Sequence, residues 1–390
     1  MIHRQIQSVI EDRAKKFPVV TLTGPRQCGK STLLKSCFPD YRYVSLEDPD
    51  VRALATDDPR GFLQDCGPRA ILDEAQRAPD LFSYIQTLVD SRDECGQFVL
   101  SGSHNFLLME RVSQSLAGRA CVLKLSPFSI GELDAAGIVP KTLDDLLLTG
   151  GFPRLYDKRI SPGEYFPSYL QTYVERDVRL LRNISDMSAF SRFLRLCAAR
   201  AGSVLNVASL AADAGVTSAT AKSWLSILEA SYVVFLLEPH HRNFSKRVVK
   251  SPKLYFRDTG LLCHLLGIRT AAQLRSSDLR GAVFECFVVS EFAKAAEFAG
   301  EAPRISFWRD TNGNEVDLLS EQDGTPKAFE IKSGETRNAR FYDALEKFAA
   351  FAGVPLSDTA VDYGGDASFA GERRNFVAWR DLAARLRQAR

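Results

Sequence analysis

Val19-Val20-Thr21-Leu22-Thr23-Gly24-Pro25-Arg26-Gln27-Cys28-Gly29-Lys30-Ser31-Thr32-Leu33-Leu34 is the stretch that decides the fold. An apolar run meets a loop bounded by glycines, and helical spacing resumes at once. Strand, glycine loop, helix is the context required by the pattern G-x-x-x-x-G-K-[ST], and Gly24, Gly29, Lys30 and Ser31 fill its fixed positions. Glycines let backbone N–H groups curl around phosphates, the lysine reaches the β and γ oxygens, and the hydroxyl takes a place on Mg²⁺. The expected nucleotide-binding residues are therefore Gly24, Pro25, Arg26, Gln27, Cys28, Gly29, Lys30, Ser31 and Thr32, and the expected cofactors are ATP and Mg²⁺.

Downstream, Ala70-Ile71-Leu72-Asp73-Glu74 reads as an apolar strand ending in two acids. Asp73 would anchor Mg²⁺ through water, while Glu74, pointing elsewhere, would polarise the attacking water. Phe98-Val99-Leu100-Ser101-Gly102-Ser103-His104-Asn105 supplies another buried strand ending in small polar residues, with Ser103 or Asn105 suited to sensing the γ-phosphate. Leu116-Ala117-Gly118-Arg119 ends a helix just before Val122-Leu123-Lys124-Leu125. Arg119 is placed to act as an arginine finger on a neighbouring subunit, which implies a homo-oligomer. The plainer role for such an arginine is to cap carbonyls or pair with an acid.

Short apolar runs at Val19–Thr23, Tyr43–Leu46, Ala70–Leu72, Phe98–Leu100 and Val122–Leu125 alternate with helical spacing, the signature of an α/β domain with a parallel sheet. In motif order, residues 1–135 resemble an AAA-superfamily P-loop ATPase. The resemblance implies a sheet order of 5-1-4-3-2. Gly-Pro-Arg-Gln-Cys-Gly-Lys-Ser, together with Leu-Ala-Gly-Arg and the later Gly150-Gly151-Phe152-Pro153, further resembles a prokaryotic ATPase family whose members carry a C-terminal domain of unknown function. The departure from a standard AAA protein is the lack of an obvious helical lid with its own arginine sensor, for which Arg154 is a stand-in.

At 390 residues the chain is long enough for two or three folding units of roughly 100–200 residues each. Its 45% hydrophobic and 25% charged content is that of a globular protein. Fifty basic against 48 acidic side chains leave a net charge of +2, so any nucleic-acid contact must be a local patch. No stretch approaches the roughly 18 consecutive apolar residues of a membrane-spanning helix, and the start lacks a signal-peptide core, so a cytoplasmic protein without membrane contact is expected. Eight cysteines stand singly, with no Cys-x-x-Cys pair, which favours reduced, packed thiols over a zinc site.

Beyond the first domain, residues 136–205 read as a helical connector. Residues 206–260 read as winged-helix-like: two short helices around Gly215, the second capped by Thr217 or Ser218, then strands at Tyr232–Leu237 and Lys253–Phe256. The second helix offers little positive charge for base readout. The basic residues His241, Arg242, Lys246, Arg247, Lys250 and Lys253 instead suit a phosphate-backbone contact, so DNA is the expected partner and a protein partner the alternative.

Residues 275–365 read as a mixed α/β unit, followed by a C-terminal helix over 366–390. Asp317 on one strand and Glu330 and Lys332 on the next form D-(x)12-E-x-K, preceded by Glu285 on a helix. Alternate residues of a strand share a face, so Glu330 and Lys332 point the same way and Asp317 can lie opposite them. The set resembles the PD-(D/E)xK nuclease superfamily. That resemblance implies a second divalent metal on Asp317 and Glu330, with Glu285 as an outer ligand and Lys332 orienting a water. The combined expectation is a Mg²⁺-dependent ATPase acting on DNA; the alternative is a nucleotide-gated scaffold with an inactive nuclease-like domain.

Overall fold

The computed structural model describes residues 2–103, 105–174, 186–240, 251–310, 312–322 and 324–388. The chain divides into two compact units, one formed by Met1–Phe128 with Glu297–Glu301, the other by Ser129–Ala296 with Ala302–Arg390.

In the first unit, β1 (Val19–Thr23), β2 (Arg42–Ser45), β3 (Ala70–Asp73), β4 (Phe98–Gly102) and β5 (Ala120–Lys124) form one sheet in the order β2-β3-β4-β1-β5. Every pair in it is parallel. From the other edge this is the 5-1-4-3-2 order that the AAA resemblance implies. The central strands are buried throughout because both faces are covered: Val19, Leu72, Phe98 and Leu100 enter one core, while Val20, Leu22, Ile71 and Val99 enter another. Thr23 pairs with Gly102 and Asp73 with Ser101, so the loops leaving β1, β3 and β4 emerge side by side at the carboxyl edge of the sheet.

This unit is completed from far along the chain, by Glu297–Glu301. Phe298 is fully buried in the core with Leu22, Leu123 and Leu125. Glu297 accepts a hydrogen bond from Ser126 Oγ at 2.7 Å and pairs with Lys124 Nζ at 2.9 Å. No local pattern announces this return, because a buried aromatic and its neighbouring acid at the end of a long helix look the same wherever that helix docks.

The second unit opens with short helices. The Gly150-Gly151 pair is structural: Gly150 has φ +70°, the Gly151 N–H donates to Asp258 Oδ2 at 2.7 Å, and a Cβ on Gly150 would lie 2.5 Å from Asp258 Oδ1. The same carboxylate caps the helix Thr259–Leu265 by accepting from the Leu261 N–H. Helix Val207–Ala214 ends at left-handed Gly215, and helix Ser218–Ala230 is capped by Thr217, whose hydroxyl accepts from the Thr220 N–H. Trp224 packs edge-on to Phe190 and Phe193 of the helix Met187–Ala199. An antiparallel pair follows, β6 (Val234–Leu237) with β7 (Lys253–Phe256). His241, Arg242, Lys246, Arg247 and Lys250 lie outside the described residues.

Six further strands form a mixed sheet: β8 (Ile305–Arg309), β9 (Glu315–Gln322), β10 (Thr325–Lys332), β11 (Thr359–Tyr363), β12 (Phe369–Ala370) and β13 (Asn375–Ala378), in the order β12-β13-β11-β10-β9-β8. The expectation of a helix across 366–390 is corrected here, since β12 and β13 occupy its first part and the helix is confined to Leu382–Gln388. Asn375–Ala378 alternates half-buried and buried residues, and Phe376 and Ala378 enter the core beside Tyr342 and Tyr363. That is the period of a strand.

Candidate nucleotide site and a closed carboxylate cluster

The loop after β1 turns through positive φ at Gly24, Gln27 and Gly29, the backbone form from which N–H groups make an anion nest. A Cβ at Gly24 would overlap the Leu125 carbonyl, so only glycine fits there. Lys30 opens the helix Lys30–Cys37 and its Nζ donates to the Gly24 and Pro25 carbonyls, both at 2.9 Å. Thr32 is exposed on that helix's first turn. From behind the loop, the buried guanidinium of Arg4 donates to the carbonyls of Cys28 at 2.8 Å and Ser126 at 2.6 Å. Arg4 is a support that the motif could not reveal, since it belongs to no pattern around Gly24.

Asp73 ends β3 beside this loop. Its Oδ2 accepts from Ser31 Oγ at 2.5 Å and from the Tyr43 hydroxyl at 2.6 Å, and its Oδ1 accepts from Ser101 Oγ. Burial alone would raise the Asp73 pKa, but these three donors and the Lys30 charge together hold it below the ordinary value. Ser31, Asp73 and Lys30 are thus an oxygen pair and an ammonium of the kind that Mg²⁺ and phosphates need. Tyr43 and Ser101 were not singled out in the sequence, although Ser101 stands at the end of a strand already assigned to the sheet.

Glu74 follows in the left-handed conformation, with φ +55°. Its Oε2 accepts from Ser103 Oγ at 3.1 Å and from the Gln76 amide. The backbone kink separates the two acids: Asp73 is held by Ser31 and Tyr43, Glu74 by Ser103 and Gln76. Asn105 begins the helix Asn105–Ser115. Arg119 is engaged on its own unit, where its guanidinium pairs with Asp90 in a two-point contact and donates to the Ala117 carbonyl. The plainer of the two roles open to it in the sequence is thus the one its geometry displays.

In the second unit, β9 and β10 pair antiparallel up to Leu318–Phe329, one residue short of Asp317 and Glu330. Asp317 Oδ2 accepts from the Ile331 N–H at 2.9 Å, and Lys332 Nζ reaches Glu330 at 2.5 Å and Asp317 at 3.6 Å. Glu285, on the helix Arg280–Phe298, joins them through an unexpected residue. Lys253 Nζ lies 3.0 Å from Glu285, 2.5 Å from Glu315 and 3.8 Å from Asp317. Tyr255 donates its hydroxyl to Glu285 as well.

Two expectations change here. Lys253, counted in the sequence with the basic wing, is only 2% exposed and faces carboxylates rather than solvent. Around the acids expected to hold a second metal, Asp317, Glu330 and Glu285, the arrangement differs from that expectation: among the described residues no group of three or more His, Cys, Asp or Glu is arranged to hold a metal ion. The physical reason is that two ammonium groups stand among the acids. Burial, and then the nearby Asp317, push the pKa of both Glu285 and Glu330 upward. Burial would lower that of Lys253, but Glu285, Asp317 and Glu315 raise it.

Residues 16–134 match the family model of the AAA domain, residues 140–272 that of a domain of unknown function (DUF8612), and residues 280–382 that of another (DUF4143). Together with the parallel sheet and the phosphate loop, these matches define an AAA-superfamily P-loop ATPase carrying a DUF4143 domain. The chain belongs to the same family as uncharacterized protein Rv2008c of Mycobacterium tuberculosis and uncharacterized protein Mb2031c of Mycobacterium bovis. It is 33% identical to each over 360 residues, 91% of this chain and 78% of theirs. Among solved structures, the Walker-type ATPase paby2304 of Pyrococcus abyssi is similar over 68% of this chain and 96% of that one, at 14% identity and a TM-score of 0.45. AMPPCP-bound DnaA from Aquifex aeolicus is similar over 57% and 85%, at 14% identity and a TM-score of 0.30. Among the described residues, no helix is long and apolar enough to cross a membrane.

Proposed function

We propose that the first unit binds ATP with Mg²⁺ and hydrolyses it. The observation that carries this reading is the bond between Ser31 Oγ and Asp73 Oδ2, which joins the hydroxyl that ends the phosphate loop to the acid that ends β3. Bound Mg²⁺ would neutralise phosphate charge as it develops. Of the chain's own residues, Lys30 holds phosphate oxygens, Ser31 and Asp73 hold the metal, Glu74 takes a proton from the attacking water, and Ser103 keeps the Glu74 carboxylate in place. The test separates binding from turnover. Lys30→Ala should abolish ATP binding, whereas Glu74→Gln should keep binding and lose about 10²-fold or more in turnover. Parental turnover in Glu74→Gln would remove Glu74 from its role.

The turnover is proposed to drive a rearrangement felt by the second unit, in an assembly of several copies. For the target, one observation favours the nucleotide-gated scaffold over direct action on DNA: Lys253 is turned into the carboxylate cluster. A nuclease-like fold closed in this way suits docking of a protein partner. Salt-dependent binding of the full chain to duplex or single-stranded DNA, lost on charge reversal of Lys246 and Arg247, would restore DNA as the target.

A further inference from the structure

We propose that Lys253 is the resident cation of the carboxylate cluster, standing among Glu285, Glu315 and Asp317 where a divalent metal would otherwise sit, so that the site is a metal-free junction held by ammonium groups. Its members arrive from four elements: Lys253 from β7, Glu285 from the helix Arg280–Phe298, Glu315 and Asp317 from β9, and Glu330 from β10. An isolated ammonium buried this deeply would be strongly unfavourable, and it is tolerated only where paired carboxylates return the lost hydration. An ammonium carries three N–H donors, and Lys253 has Glu285 and Glu315 within hydrogen-bond distance and Asp317 just beyond. Lys332 covers Glu330 and the other oxygen of Asp317.

The donor set itself would suit a hard cation. Three carboxylates, Glu285, Glu315 and Asp317, converge on Lys253 Nζ, and Glu330 Oε2 nearby is buried without a hydrogen-bond partner. What excludes the metal is the lysine. A divalent ion needs oxygens at about 2.0–2.6 Å and cannot share their centre with an ammonium. Removing the ammonium while leaving the acids should therefore turn the junction into a divalent site.

The experiment uses the full chain without nucleotide, in an Asp73→Asn background that removes the metal-holding carboxylate at the phosphate loop, with Mn²⁺ as the probe. The Asp73→Asn chain should show no Mn²⁺ binding that depends on Asp317. Adding Lys253→Ala should create one Mn²⁺ site that Asp317→Asn removes. The ion should raise the thermal midpoint of the Lys253→Ala chain by about 5 °C at 100 times its dissociation constant. Should Lys253→Ala fail to fold, Lys253→Ala with Glu285→Gln, one buried charge fewer, carries the same measurement. Mn²⁺ bound by the lysine-containing chain and lost in Asp317→Asn overturns the proposal, as does a folded Lys253→Ala chain that binds none. The outcome does not depend on whether Glu74 supports ATP turnover.

Discussion

The hydroxyl of Tyr43 lies 2.6 Å from Oδ2 of Asp73, the oxygen that also accepts from Ser31. A residue of β2 thus fixes which way the acid of β3 presents its free lone pairs. Hydrogen bonds to a charged group are worth about 1.5 kcal/mol or more, roughly tenfold in an equilibrium. Tyr43→Phe is therefore expected to raise the Mg²⁺ concentration for half-maximal ATP turnover about tenfold while leaving the thermal midpoint nearly unchanged. An unaltered Mg²⁺ dependence would show that Asp73 is held well enough by Ser31 and Ser101 alone.

Arg119 and Asp90 form a reversible choice. If Arg119 acts on a neighbouring subunit's nucleotide, its pairing with Asp90 competes with that role. Arg119→Ala should then cut turnover by 10-fold or more, with nucleotide binding retained, while Asp90→Ala keeps or raises turnover. Mixing Arg119→Ala with Lys30→Ala chains should recover some activity. Equal losses in both single variants would mean that the ion pair matters only to the local fold.

Gly150 is expected to tolerate no side chain. Gly150→Ala places a methyl 2.5 Å from the Asp258 carboxylate at φ +70°. A non-glycine residue in such backbone costs about 1–3 kcal/mol before the clash is added. Denaturant unfolding of the second unit should shift by at least this much, and a neutral effect would show that Asp258 is free to move.

The carboxylate cluster should make the protein less stable toward alkaline pH. Burial and Asp317 raise the Glu330 pKa above its ordinary 4.5. Between that value and the raised one, the folded chain keeps a proton that the unfolded chain has lost. The unfolded state then binds fewer protons, and stability falls as pH rises. The thermal midpoint of the native chain should decline from about pH 5 to about pH 8, and Glu330→Gln should flatten the decline. Superimposable pH profiles would show that Glu330 is charged in the folded state.

The sequence revealed most where chemistry demands residues at fixed spacing. Gly24 to Ser31, the Asp73–Glu74 pair and the doubly buried strands all follow from local rules, and these placed the parallel sheet and the nucleotide loop, while the strand order came from the AAA resemblance. It revealed least where the partner lies far along the chain. Arg4 supports Cys28, and Tyr43 supports Asp73, through contacts that no window contains. Lys253 misled for a related reason: a lysine between basic neighbours looks solvated, and only the fold shows the three acids that bury it. The two strands within 366–390 were missed because one is only two residues long and the other four, too short for a period to emerge.

Phe298 and Glu297 make the ATPase unit inseparable as a contiguous fragment. A protein cut after Phe128 would carry an aromatic-sized hole beside Leu22 and Leu125, and Lys124 and Ser126 would lose a shared carboxylate. Burying one phenylalanine is worth about 1.5–3 kcal/mol, a large share of the margin by which a domain stays folded. Recombination that exchanged the first 128 residues between relatives would have to preserve a match with a helix end encoded far downstream. Such a nucleotide-binding unit is inherited together with the segment that follows it, not shuffled as an independent cassette.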